Sequence, residues 1–359
     1  YSDALTNWAI NKIKTQYPDD VALLIATPAS DFHGDGHGVC FDYYIPATER
    51  GMELGRTFIL DGVGHDLYPR TWERMERTAD LVDWATHCLG NAEIKYSRSH
   101  EDTQRFEQLK QRLQDNLSNP EFVYRAALAK LDSAMEIYRT MVFESNNMLT
   151  QLRTAAGYIH HNLAMGVAFM NGTYLNSGTQ WYNSDMAELK TLSALPDSFV
   201  EYYQAIIHVN EEFDTDVQNS AGEELKHLAY LSILTGRRFL AARKPTRLET
   251  HRRANYDALA EWYQEISLKW RRLYAYCDVN SKEGAFFEAC NLQPELNDIS
   301  EEYGIAPEKM SLLTAYSPND LSRLCKYAHE IEDFIINEIT SHGAKLHKYE
   351  TLEDFLANE

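Results

Sequence analysis

The sequence predicts an α+β protein: a small mixed-sheet domain over residues 1–117, then an all-α helical portion over 118–359. Three observations lead there. Short apolar runs punctuated by Gly, Pro and Asp recur through the first third of the chain, as strands and tight turns do. Asp61-Gly62 separates two of those runs, and a type I′ hairpin turn needs positive φ at both central positions. From about Asn119 onward apolar residues recur at helical spacing almost without interruption.

Taken in order, Tyr1 to Lys14 reads as an amphipathic helix with Leu5, Trp8, Ala9 and Ile13 inward, and not as a signal peptide with a basic head and apolar centre. Val21 to Ala26 is apolar throughout and closed by Pro18 and Pro28, which predicts a strand covered on both faces. A Gly-rich loop over residues 28–38 follows. Val39 to Ile45 then alternates: Val39, Phe41, Tyr43 and Ile45 point one way, Cys40, Asp42 and Tyr44 the other. A helical piece from about Thr48 to Arg56 leads into the strand Thr57 to Leu60, and Val63 to Tyr68 returns from the hairpin to stop at Pro69. Thr71 can cap a helix with a buried stripe of Trp72, Met75, Ala79, Val82 and Ala85. A last strand, Ala92 to Tyr96, closes the sheet. Further on, helices are expected near 120–145, 148–170, 197–209, 216–240, 254–277, 283–303 and 318–342.

Composition narrows the function classes. With 34 Lys and Arg against 54 Asp and Glu the formal charge is −20, a field that repels nucleic acid and steers small cations inward. No apolar run approaches the roughly 20 residues that span a bilayer, so no membrane partner is expected. The five cysteines are scattered and form no C-x-x-C, which argues against a disulfide framework or structural zinc and fits a reducing, cytoplasmic setting.

The chemistry concentrates in residues 29–66. Ala29-Ser30 precedes Cys40-Phe41-Asp42-Tyr43, and a second hairpin brings in His65-Asp66-Leu67. This pattern resembles the signature of the polymerase-β-like nucleotidyltransferases, the antibiotic-modifying enzymes in particular: a Gly-Ser turn, an acid-x-acid pair on the next strand, and a third acid on a later one. Ala29 stands where that family has Gly, and Cys40 where it has the first metal-binding acid. The resemblance covers about residues 5–115.

It implies transfer of a nucleotidyl group from a nucleoside triphosphate to a small hydroxylated acceptor, which the acidic field would favour as a cation. It implies Mg²⁺, with two ions about 3.5–4 Å apart clamping the attacking and leaving oxygens. By position, Ser30 and Cys40 would meet the nucleotide. Asp42 and Asp66 would hold metal and carry the catalysis, with Asp35 of the Gly-rich loop as a further ligand. Because a thiol is a poor ligand for a hard cation, Cys40 favours an alternative: a catalytically inactive scaffold serving nucleotide sensing or protein contact.

Weaker candidates complete the reading. His33, Asp35 and His37 alternate and would share one face if extended, a donor set suited to Zn²⁺ or Fe²⁺. His160-His161 are adjacent on a helix and face different ways. Glu223 or Glu224, one turn from His227, could serve as a base, and Arg237, Arg238, Arg243, Lys244 and Arg247 could meet a triphosphate.

Overall fold

A computed structural model describes residues 2–27, 42–60, 62–144, 148–176, 185–209, 215–245 and 255–358. The chain forms two compact units, Tyr1–Pro245 and Thr246–Glu359. The expected boundary at residue 117 falls inside the first unit, at the turn between two of its helices.

In the first unit α1 (Ser2–Gln16) leads to β1 (Val21–Ala26), β2 (Tyr43–Pro46), β3 (Arg56–Leu60) and β4 (Val63–Pro69). Then come α2 (Trp72–Ala79), the single turn α3 (His87–Gly90), β5 (Glu93–Ser97) and α4 (His100–Leu117). The rest is helical: α5 (Pro120–Phe143), α6 (Leu149–Met170), the short α7 (Asp185–Leu189), α8 (Phe199–His208) and α9 (Thr215–Ala241). An N-terminal mixed sheet followed by helices is the α+β class expected from the sequence.

The sheet order is β3-β4-β2-β1-β5, with β2 and β4 parallel and the other neighbours antiparallel. All six residues of β1 are buried, as its unbroken apolar run requires. Val21 and Leu24 join Tyr44, Leu54 and Leu67 beneath Ala9 and Ile13 of α1. Ala22, Leu23 and Ile25 face the other way, with Tyr43 and Ile45, into a core shared with α2 to α6, α8 and α9. A register shift between Val21 and Leu23 lets the neighbours Ala22 and Leu23 join the same core.

Local differences from the sequence reading have physical causes. The segment after Thr48 is a 3₁₀ turn, Glu49–Leu54, held tight because Gly51 approaches the carbonyl of Asp20; a Cβ there would lie 2.1 Å from that oxygen. Helix α2 stops at Ala79, since Leu81 takes φ 60°; Val82, expected in its buried stripe, is 56% exposed. The hairpin turn is as expected at Gly62 (φ 77°), with Leu60 paired to Val63.

The second unit holds α10 (Tyr256–Asp278), α11 (Lys282–Glu302), α12 (Ser322–Ser341) and the terminal α13 (Leu352–Asn358), with 3₁₀ turns at Pro307–Met310 and Leu312–Ala315. Its core gathers Trp270, Leu273, Leu292, Leu324, Ile331 and Ile335. Two acidic side chains among its described residues are buried, Glu288 of α11 and Glu332 of α12. Glu332 of α12 is 5% exposed, and Tyr263 and Tyr274 of α10 each donate a hydroxyl to one of its oxygens at 2.7 Å. Burial, then the bond to Glu332, raises both phenols, so both stay donors at any physiological pH.

No helix among the described residues is long and apolar enough to cross a membrane. Cys88, Cys277, Cys290 and Cys325 are free thiols.

A buried carboxylate that loses one of two donors keeps its desolvation cost and forfeits compensation. Tyr274→Phe should therefore lower stability by about 1.5–3 kcal/mol, read as a drop in the denaturant midpoint of the full chain. An unchanged midpoint would show that water or Arg271 replaces the phenol.

Candidate functional site

The candidate site lies where β1, β2 and β4 end or begin side by side. Asp42 immediately precedes β2, and its backbone N–H donates to the carbonyl of Ile25 at 2.8 Å, which ties it to the end of β1. Its half-buried carboxylate has a donor on each oxygen. Thr27 Oγ1, just past β1, donates to Oδ2 at 2.7 Å, and the Tyr68 hydroxyl of β4 donates to Oδ1 at 3.4 Å. Cys88 Sγ also approaches Oδ2, at 3.7 Å.

Strict alternation would turn Asp42 away from Tyr43. Because β2 begins only at Tyr43, the alternation does not extend to Asp42, and its carboxylate reaches toward the side holding Tyr68 and Cys88.

Asp66 lies on the same sheet face. Tyr43 and Tyr68 are register partners across the parallel β2–β4 pair, with ring centroids 6.2 Å apart. Asp66, two residues before Tyr68, points the same way. It is exposed, and Thr57 on the neighbouring β3 donates to its Oδ1 at 3.3 Å. Ser30, Asp35 and Cys40, with Ala29, His33 and His37, lie outside the described residues. Among the described residues no group of three or more His, Cys, Asp or Glu could hold a metal.

Period two continues from Asp66 and Tyr68 to Arg70, which is 1% exposed. Its guanidinium carbon lies 5.2 Å from the Tyr43 ring centre and 6.0 Å from that of Tyr68, and Nη2 reaches Asp83 at 3.7 Å. Nε and Nη1 have no hydrogen-bond partner, so the two aromatic faces compensate much of this buried charge. Asp83 is fixed in turn by Arg74 Nε at 2.9 Å and by the Ala85 N–H at 3.0 Å. Burial works against its charge, but these bonds hold its carboxyl below the usual range.

The remaining titratable groups here are held neutral. Burial, then the Asp42 carboxylate, pushes the Cys88 thiol up to about 12. Burial lowers His87, whose Nε2 is 3.4 Å from Cys88 Sγ, although Asp42 opposes the shift. Burial and then Asp42 raise Tyr68, which keeps it a donor. The site is one half-exposed carboxylate held by neutral donors, with a second carboxylate exposed on the adjacent strand.

Of these residues Thr27, Tyr68, Arg70 and Cys88 were not singled out by sequence. The i, i+2, i+4 set Asp66, Tyr68 and Arg70 was a readable signal. Cys88 comes from a distant turn and was not.

The weaker candidates lie elsewhere. His160 is fully buried and stacked between Phe199 and Tyr203, at 4.3 and 4.0 Å, as a core histidine. His161 faces a small cavity with Trp84, Thr86 and His87. Glu223, Glu224 and His227 are exposed, and Glu223 pairs with Lys226 at 2.8 Å. Arg237 and Arg238 are exposed, Arg243 sits 3.9 Å over the Phe239 ring, and Arg247 lies outside the described residues.

No protein-family model matches the chain, and no curated protein matches it. Among solved structures it is similar to a nucleotidyltransferase-like protein from Exiguobacterium sibiricum 255-15. That similarity is 15% identity over 73% of this chain and 91% of that one, with a TM-score of 0.31. A likeness at that level decides neither fold family nor function.

The Asp42 carboxylate adds to burial in keeping Cys88 protonated, and this is measurable. Asp42→Asn removes a neighbouring negative charge, so the thiolate becomes easier to form and the Cys88 pKa falls. Peptide-resolved alkylation at pH 9 should modify Cys88 faster in Asp42→Asn than in the wild type. Equal rates would mean that burial alone protects the thiol.

Proposed function

We propose that the protein transfers a nucleotidyl group from a nucleoside triphosphate to a small hydroxylated acceptor, using Asp42 and Asp66. The observation that carries this reading is the placement of two carboxylates on one sheet face, Asp42 at the head of β2 and Asp66 on the parallel β4. The spacing of Ser30, Asp42 and Asp66 in the sequence supports it.

In this reading Asp42 and Asp66 would hold Mg²⁺. The donors suit it: both are hard carboxylate oxygens, and Mg²⁺ is commonly held by one or two carboxylates, substrate phosphates and water. When bound, the ion neutralises charge on the triphosphate. Thr27 and Tyr68 orient Asp42 by donating to it. The acceptor oxygen attacks the α-phosphorus, pyrophosphate leaves, and the hydroxyl proton passes to the exposed Asp66. Ser30 contacts the triphosphate. The acidic surface supports a cationic acceptor.

A second reading is favoured by a specific observation. Thr27, Tyr68 and Cys88 already surround the Asp42 carboxylate, as expected of a structural residue in a scaffold kept for nucleotide sensing or protein contact.

Incubation with Mg²⁺, labelled nucleoside triphosphates and a panel of aminoglycosides and lincosamides separates the two. Label transfer that Asp42→Asn abolishes supports the enzyme, whereas nucleotide binding without turnover supports the sensor. Absence of both transfer and binding would sink the nucleotide reading. Cys40→Asp should raise Mg²⁺ affinity, measured by calorimetry, because it adds a hard, charged ligand beside Asp42. If affinity is unchanged, Cys40 does not face the metal position.

A further inference from the structure

The second unit carries a pair of thiols that the nucleotide chemistry does not use. Cys277 is the penultimate residue of α10, and Cys325 lies in the first turn of α12. The helix packing brings them together. Tyr274 of α10 stacks on His329 of α12 with ring centroids 4.0 Å apart, and its hydroxyl reaches Glu332, one turn further along α12, at 2.7 Å. Tyr263, three turns earlier on α10, reaches the same Glu332, so the two helices run antiparallel. One turn beyond Tyr274 on α10 is Cys277, and one turn before His329 on α12 is Cys325. The two thiols accordingly lie at the same level of the α10–α12 contact and line one groove.

Both are partly exposed and line a groove of about 760 Å³ with Asp278, Asp320, Glu330 and Asp333. Besides these four carboxylates, the thiols and His329, Lys326 also lines it, and its Nζ lies 3.8 Å from Glu330. A thiol pair at the wall of an open acidic groove is accessible to small neutral oxidants. Anionic ones, including glutathione disulfide, are repelled.

We propose that Cys277 and Cys325 form a site of reversible disulfide formation, oxidised by peroxide that enters through this groove. Cys325 attacks one peroxide oxygen, the O–O bond breaks, and water and a sulfenic acid on Cys325 result. The Cys277 sulfur then displaces hydroxide from that sulfur, and its proton leaves with the hydroxide as a second water. Two thiols are oxidised by two electrons, and one hydrogen peroxide is reduced to two waters. Burial, then the neighbouring Cys325 sulfur, pushes the Cys277 thiol up to about 11, which makes it the slower nucleophile and leaves the first attack to Cys325. The bond would clasp the end of α10 to the start of α12.

The full-length reduced protein is treated with hydrogen peroxide, alkylated, digested and analysed by mass spectrometry. The expected product is a cross-linked peptide pair carrying Cys277 and Cys325, two hydrogens lighter than the sum and reversed by dithiothreitol. Cys290 on α11, also partly exposed, should stay alkylatable. Formation should be about tenfold faster in the native protein than in urea, because the fold supplies the proximity. It should be slower with glutathione disulfide at equal concentration. In Cys277→Ser, dimedone should trap a sulfenic acid on Cys325. Separate alkylation of both residues after peroxide treatment, or equal cross-linking rates in native and unfolded protein, would overturn the proposal.

Discussion

The first unit depends on the burial of β1 from both sides. Five of its six residues feed two cores that do not mix: one beneath α1, and one shared with the helices that follow the sheet. Each of Leu23, Leu24 and Ile25 contributes about 1.5–3 kcal/mol by burial, which fixes the strand and its register. What the register fixes in turn is the end of the strand. Thr27, the first residue past β1, is held opposite Asp42 because Ile25 accepts the Asp42 N–H. A one-residue slip would exchange the two cores and move Thr27 off the carboxylate.

Around that carboxylate the protein separates charge from neutrality. The buried Arg70 pairs with the half-buried Asp83 beneath Tyr43 and Tyr68, and Arg74 completes the group. This anchors the irregular chain between α2 and α3, where Leu81 adopts positive φ. That segment delivers Cys88 and His87 to the sheet face. The thiol and imidazole that arrive are both held neutral, by burial in the first place. They act as polar packing around Asp42, and the protonated thiol is not poised as a nucleophile.

The fold was legible wherever a single period ruled. The continuous apolar run of β1, the Asp-Gly hairpin and the helical stripes from Asn119 onward each reappear as elements close to their expected bounds. The reading failed where tertiary contacts overrule a local pattern. Val82 continues the helical spacing of Trp72, Met75 and Ala79, yet the Asp83 ion pairs pull the chain out of the helix before it. Asp42 was assigned a face by alternation that does not extend to it, since β2 begins one residue later. Of the site, Asp42 and Asp66 could be found by spacing. The donors that define Asp42 come from the residue after β1, from β4 and from α3, separated by 15, 26 and 46 residues, and no local signal joins them.

Asp42 and Glu332 both accept phenolic hydroxyls, and the contrast between them is instructive. Glu332 is enclosed, with a short bond from tyrosine on each oxygen and a hydrophobic shell around it. Its donors come from one neighbouring helix and its task is to fasten α10 to α12. Asp42 is half-buried, its bond from Tyr68 is long, and its third neighbour is a thiol, a weak donor. A carboxylate offers about four acceptor positions, so Asp42 retains capacity for a ligand on its open side where Glu332 has no open side. Its supports also come from three separate segments, which orient the group without enclosing it. That is the arrangement which the proposed metal-holding role of Asp42 calls for.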